Sequence, residues 1–261
     1  MKTILITGAT DGIGLLTAQK LAAAGHHILL HGRSQAKLEA AVQSVGGTTE
    51  SYIADLSVLS EVDAMADAII AKHKRLDVVI NNAGVYKIAH PITAEGHDSR
   101  FVVNTLAPYH LTRRLLPLLG SEGRVVNLSS AAQARVDVDA MAGKIRLDDF
   151  AAYAQSKLAI TIWTQEIARQ HPGGPVFVAV NPGSLLASKM VKEGFGVAGN
   201  DLNIGADILI KAALSADFAN ASGAYFDNDG AGFSAPNAAA ADATHVKAVM
   251  EEIEKQIELL L

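Results

Sequence analysis

The sequence predicts a single doubly wound α/β domain, with a parallel seven-stranded sheet and helices on both faces. Three observations carry this expectation. Short runs rich in Val, Ile and Leu recur without polar alternation, the pattern of strands covered on both sides. Longer stretches of helical periodicity separate them, and strand–helix–strand repetition implies right-handed crossovers in a parallel sheet. No linker, low-complexity segment or fixed-period repeat divides the 261 residues, so 1–261 reads as one domain.

The elements follow in order. Strands are expected at 3–7, 27–31, 49–54, 76–81, 123–129, 176–181 and 224–227. Helices are expected near 12–25, 35–45, 58–74, 97–119, 150–170 and 203–215. A last helix near 239–260 carries Val246, Val249, Met250, Ile253, Ile257 and Leu260 at spacings of three and four, an amphipathic stripe for core or subunit packing. Two segments break the rhythm. Loops 131–149 and 182–202 each follow a strand and exceed the usual connection length. Both belong to the carboxyl edge of the sheet, where open α/β folds bind ligands, and are candidate walls of a substrate pocket.

Composition narrows the function classes. Apolar residues make up 49% and charged residues 19% of the chain, with mean hydropathy +0.22, as expected for a sizeable core. A net charge of −5 offers no basic field for nucleic acid. Cysteine is absent, which removes disulfides, thiolate nucleophiles and Cys-ligated metals. No run of 18 apolar residues suggests a membrane anchor, and the first residues reach glycine too soon for a signal peptide, so a cytoplasmic protein is expected. The nine histidines show no HExxH or other ligand spacing; no metal site is expected, and scattered or solvated histidines are. No GxSxG nucleophile elbow occurs.

The first strand runs into Thr7-Gly8-Ala9-Thr10-Asp11-Gly12-Ile13-Gly14, which opens a helix. Its GxxxGxG spacing differs from both GxGxxG and the Walker loop, but the physics is of the same kind. Glycine permits a tight turn and close backbone approach, and unpaired helix N–H groups meet an anionic pyrophosphate. Further on, Tyr153 and Lys157 stand four apart on a helical pattern, hence on one face. A phenol with a pKa of about 10 is a poor base at neutral pH, and a neighbouring ammonium lowers that value.

These motifs, with Asp55-Leu56, Asn81-Asn82-Ala83-Gly84, Asn104, Leu128-Ser129-Ser130 and Asn181-Pro182-Gly183, stand in the order of the short-chain dehydrogenase/reductase family, which the chain resembles from its first strand to residue 183. The insert ending Lys144-Ile145-Arg146-Leu147-Asp148-Asp149 before Tyr153-Ala-Gln-Ser-Lys is similar to the retinol-dehydrogenase-like group. The resemblance implies a Rossmann-type fold and hydride transfer between NADP(H) and a small-molecule carbonyl or secondary alcohol. An NADP(H)-binding redox sensor without turnover is the alternative. Tyr153 takes the acid/base role, and Lys157 supports it electrostatically and binds the nicotinamide ribose. Ser130, with Ser129 as its rival, orients the substrate oxygen as an oxyanion-hole donor does. Asn104 holds a water in a proton relay with the lysine.

For the cofactor, the resemblance assigns Gly8, Thr10, Asp11, Gly12, Ile13 and Gly14 to the pyrophosphate turn, and Asn82, Ala83 and Gly84 to the adenosine-ribose side. Asp55, followed by Leu56, would receive the adenine amino group; N-capping of the next helix competes for it. Pro182 and Gly183 bring backbone near the nicotinamide. The family's Thr beyond that Pro is replaced by Ala187, which offers Ser188 for the contact. After the second strand, Gly32 leaves room and Arg33 presents a fork suited to a 2′-phosphate, with Ser34 adding a hydroxyl and Lys37 one turn on. NADP(H) is therefore expected over NAD(H), although Asp11 stands where NADP users often carry a base. The helices near 97–119 and 150–170 are the family's usual dimer faces; Leu106, Leu111, Leu115, Ile160 and Trp163 could serve there or in the core, and a homodimer or homotetramer is expected.

Overall fold

A computed structural model describes residues 1–184, 186 and 199–261. Its frame is one sheet of eight strands in the order β3-β2-β1-β4-β5-β6-β7-β8. The strands are β1 (Thr3–Ile6), β2 (His27–Gly32), β3 (Thr49–Ile53), β4 (Leu76–Asn81), β5 (Leu119–Leu128), β6 (Val176–Asn181), β7 (Tyr225–Asp227) and β8 (Gly232–Ser234). All pairings are parallel except β7 with β8. The seven expected strands are present; the eighth is a three-residue antiparallel return too short to register as a periodic pattern.

Two apolar layers explain the continuous hydrophobic strands. Leu5, Leu29, Val79, Val125 and Phe177 face one layer, and Ile4, Ile28, Val78, Val126 and Val178 the other. Helices α1 (Gly12–Ala23), α2 (Gln35–Val45) and α8 (Leu202–Leu214) cover the second layer. Helices α3 (Leu59–Lys72), α5 (Ala107–Leu115), α7 (Asp149–Gln170) and α9 (Ala243–Leu260) cover the first. Phe177 has no exposed surface, and truncation there to Ala would cost about 3–5 kcal/mol.

The expected helix over 97–119 is broken into pieces. A turn α4 (Ser99–Phe101) leads into a π-helical segment, Val102–Leu106, then α5, then a 3-10 turn at Leu116–Leu118. Pro108 and Pro117 mark the breaks, since neither can donate a backbone hydrogen bond. The loop 131–149 is ordered: Asp137 caps the short helix α6 (Val138–Met141), and Asp148 caps α7.

Leu106, Leu111, Leu115, Ile160 and Trp163, the residues considered for subunit contacts, are all buried within one chain. Trp163 meets Tyr109 edge-on at 5.5 Å. The stripe of α9 is likewise core, with Val249, Ile253 and Ile257 buried against that layer. The reason could not be seen locally, because α9 reaches back more than a hundred residues; Tyr109 and Arg113 both bond Glu254. Among the described residues, no helix is long and apolar enough to cross a membrane and no group of three His, Cys, Asp or Glu is arranged to hold a metal ion.

Candidate active site

β1 and β4 pair at the centre of the sheet although they are far apart in sequence, and the strand order reverses there. The turns after both strands therefore open onto one crevice at the carboxyl edge, the position where such sheets bind ligands. The crevice holds a cleft of about 570 Å³, a normal ligand-site volume.

The glycine turn is built for close approach. Gly8 has φ +65°, a left-handed conformation that a side chain disfavours. A Cβ on Gly14 would stand 2.4 Å from both the Gly8 carbonyl oxygen and Asn82 Nδ2, so no larger residue fits. Asn82 Nδ2 donates to the carbonyls of Thr7 (2.9 Å) and Gly8 (3.0 Å), and the Ala83 amide donates to Thr7 Oγ1 at 3.1 Å. The segment after β4 thus fastens the turn after β1. Asp11 caps α1 by accepting the Gly12 amide at 2.7 Å.

On the other side of the cleft lie Arg33, Ser34 and Lys37. Arg33 is exposed and forms no ion pair among the described residues. Ser34 occupies the N-cap position of α2, yet its side chain makes no capping bond. A cation, an uncommitted hydroxyl and a helix N-terminus therefore face the same space. Asp55 Oδ1 accepts the amide and hydroxyl of Ser57 (2.9 and 2.7 Å). It closes a turn ahead of α3 and does not cap that helix, whose N-cap residue is Val58.

Tyr153 and Lys157 present consecutive turns of α7 to the cleft. Lys157 Nζ lies 5.6 Å from the Tyr153 ring centroid and donates to the Leu128 carbonyl at 2.7 Å. Burial holds its ammonium down to a pKa of about 8. Burial pushes the Tyr153 phenol above its ordinary value, and a hydrogen bond with the Ser130 side chain offsets part of that rise. Ser129 is committed elsewhere: its buried Oγ bonds the Lys157 carbonyl at 3.0 Å and Thr161 Oγ1 at 2.7 Å. Of the two serines, Ser130 is the one paired with Tyr153.

Asn104 sits in the π segment and is fully buried, not turned to solvent. Its Oδ1 accepts the Val85 amide (2.8 Å), and Nδ2 donates to the Val85 carbonyl and to Ser156 Oγ, both at 3.0 Å. The side-chain amide is thereby used up. Pro108, four residues on, has no N–H for α-helical pairing with the Asn104 carbonyl, and in the π register of this segment the residue five positions on is Tyr109.

Nearly all the expected cofactor residues line the cleft: Gly8, Thr10, Asp11, Gly12, Ile13 and Gly14; Arg33, Ser34, Asp55 and Leu56; Asn82, Ala83 and Gly84; Tyr153, Lys157 and Pro182. Gly183 is outside its lining, as are Asn104 and Ser130. Ser188 lies outside the described residues. Several contributors escaped the sequence reading. The Tyr86 ring packs 5.1 Å from that of Tyr153. Tyr225 donates its hydroxyl to the Ser130 carbonyl at 3.0 Å. Asp229 accepts from Ser184 and Asn181, holding the Pro182–Gly183 turn from the β7–β8 return. His31, His97, His110 and His245 are buried, against the expectation of solvated histidines, and His31 lines the cleft. Tyr86 stands two residues past the Asn81-Asn82-Ala83-Gly84 motif; nothing local signals Tyr225 or Asp229, which lie 95 and 45 residues from Ser130 and Ser184.

Residues 2–196 match the short chain dehydrogenase family. Human retinol dehydrogenase 13 is 34% identical over 258 residues, covering 87% of this chain and 76% of that protein. The structure of an uncharacterized protein from Mycobacterium paratuberculosis superposes with a TM-score of 0.82 at 29% identity, covering 99% of this chain and 94% of that one. That of the landomycin C-6 ketoreductase LanV, with bound NADP and rabelomycin, gives 0.69 at 27% identity, covering 87% and 94%. With its glycine turn, Tyr153 and Lys157 on the walls of one cleft, the chain belongs to the short chain dehydrogenase family, in its retinol-dehydrogenase-like group.

Proposed function

We propose that this oxidoreductase transfers hydride between NADP(H) and a carbonyl or secondary alcohol, with Tyr153 as general acid and base. The observation that carries the proposal is the pairing of Tyr153 and Lys157 at the wall of a cleft floored by the glycine turn, with the Ser130 side chain beside the Tyr153 phenol. The residues fit a dinucleotide. The Gly14 position admits no side chain, which keeps backbone amides open to a pyrophosphate, and Arg33 with Ser34 offers charge and hydroxyl for a 2′-phosphate. Adenine would rest toward Asp55 and Leu56. The match to NADP-bound LanV supports the same choice.

Nicotinamide, when bound, supplies or takes the hydride. The chain's own groups handle the proton. In reduction, Tyr153 gives its phenolic proton to the carbonyl oxygen while Ser130 donates a hydrogen bond to that oxygen. The Lys157 ammonium beside the ring then stabilises the phenolate. In oxidation the same phenolate takes the alcohol proton. Asn104 is the residue to which the family resemblance assigns a relay water, and its side chain fixes the π segment against Val85. Because the five residues considered for a homodimer or homotetramer are internal, any self-association uses other surface. The reading places the enzyme in the cytoplasm as one domain.

The test is incubation with NADPH and a panel of aldehydes and ketones, following loss of the reduced-cofactor absorbance. Turnover of at least one carbonyl is expected. Tight NADPH binding with no turnover across the panel would favour a sensor instead.

A further inference from the structure

We infer that His31 is a positioning residue for the dinucleotide: its imidazole ties the glycine turn after β1 to the segment before Asp55 and sets the spacing between the two. The inference rests on the reading of the cleft as a dinucleotide site.

The ring stands at the end of β2, only 3% exposed, between the ends of β1 and β3. Its Nδ1 lies 3.1 Å from the Gly8 amide, which can only donate. Its Nε2 lies 3.0 Å from the Ala54 carbonyl, which can only accept. One protonation state satisfies both: a neutral ring with a bare Nδ1 and a hydrogen on Nε2. An imidazolium would turn an N–H against the Gly8 N–H. Burial disfavours the charged form as well and holds the ring's pKa down to about 4. Asp55 is the charged group whose field reaches the ring, and it acts in the opposite sense.

What the ring holds matters for binding. Gly8 is gripped from two directions, its amide by His31 and its carbonyl by Asn82. The His31 carbonyl also accepts the Ala9 amide at 2.9 Å, so two successive amides of the turn are anchored to this residue. With these two amides held, the rest of the turn is fixed at the floor of the cleft. Through Ala54, the same imidazole fixes where Asp55 and Leu56 stand. An apolar side chain at position 31 would leave the Gly8 amide and the Ala54 carbonyl without these partners, and the two walls would drift independently. The ring also precedes Gly32 and Arg33, so displacement there re-aims the phosphate side of the cleft.

The test uses His31→Leu and His31→Asn in the full chain. Leu removes both bonds; the Asn side-chain oxygen stands close to where Nδ1 stood and keeps an acceptor for the Gly8 amide. NADPH and NADH dissociation constants are measured by fluorescence titration, with KM for NADPH and for a carbonyl substrate. The expected result is a rise of about tenfold or more in the NADPH dissociation constant for Leu, about 1.4 kcal/mol, with most of it restored by Asn. KM for NADPH should rise more than KM for the carbonyl. A merely structural role would lower the melting temperature of both variants and leave NADPH affinity unchanged, and that result overturns the inference. Should Leu fail to fold, ¹⁵N spectra of the wild-type histidines at about pH 6 decide: Nε2–H with bare Nδ1 is expected for His31, and a charged ring or the other tautomer overturns it. A wild type that binds neither nucleotide overturns the dinucleotide reading itself, and the positioning role with it.

Discussion

Replacing Lys157 with Met should stabilise the unliganded protein while abolishing turnover. The side chain is 4% exposed, and burial lowers its pKa from 10.5 to about 8. At about 1.4 kcal/mol per pH unit, keeping the ammonium charged in that site costs the fold roughly 3 kcal/mol. Met fills similar volume without charge. It also strands the Leu128 carbonyl that Nζ now bonds at 2.7 Å, a loss of about 1–2 kcal/mol. The balance at pH 7 is a gain of about 1–2 kcal/mol, or a melting temperature higher by about 2–8 °C for a chain of this size. The pH dependence gives a sharper test. The folded-state value lies below the unfolded one, so between pH 8 and about 10.5 the unfolded chain binds more protons. Wild-type stability therefore rises across that window, and the variant's advantage shrinks with it. Above about pH 10.5 the neutral amine still donates to Leu128, and the order of stability inverts. Urea unfolding of both proteins at about pH 7 and pH 11 measures this. A variant less stable than wild type at pH 7, or an offset that does not change with pH, would refute the argument.

Three further outcomes are expected. Gly14→Ala drives a methyl to 2.4 Å from the Gly8 carbonyl and Asn82, so isothermal titration should show NADPH affinity reduced at least about tenfold, with a lowered melting temperature. Arg33→Ala removes a charge-assisted contact of roughly 1.5–3 kcal/mol; the wild type should favour NADPH over NADH by about one to two orders of magnitude in kcat/KM, and the variant should lose most of that gap while its NADH kinetics hold. Tyr153→Phe keeps the ring against Tyr86 but removes the proton, so kcat should fall about 100-fold or more, with little change in NADPH affinity by fluorescence.

What could be read from the sequence was whatever depends on neighbours along the chain. The glycine turn, the strand ends and the four-residue step from Tyr153 to Lys157 are local, and each stands where its pattern implied. The pattern over 97–119 reads as one continuous helix, but the π segment that presents Asn104 to Val85 depends on the stretch after β4, 19 residues away. The commitment of Ser129 to Thr161, and the burial of Leu111 and Trp163 in the core rather than at a subunit face, come from tertiary contacts remote in sequence. His31 looked like one histidine among nine because its two partners stand 23 residues away on either side.

Three residues of the site depart from what the chain usually prefers. Lys157 carries charge into a dry site, Asn104 occupies a π-helical turn, and Gly8 holds a left-handed backbone. The first two cost about 1–3 kcal/mol and persist only where surrounding bonds over-determine them, whereas the third is a conformation that glycine adopts freely and a side chain would not. The surrounding bonds are visible: Leu128 for Lys157, Val85 and Ser156 for Asn104, Asn82 and His31 for Gly8. This separates two kinds of variant. Changing Tyr153 or Ser130 removes a reacting group and should cost turnover with little change in stability. Changing Asn82, Asn104 or His31 releases a held conformation, so stability and cofactor binding should fall together. Correlated loss therefore identifies the layer that holds the site, and loss of turnover alone identifies the layer that performs the reaction.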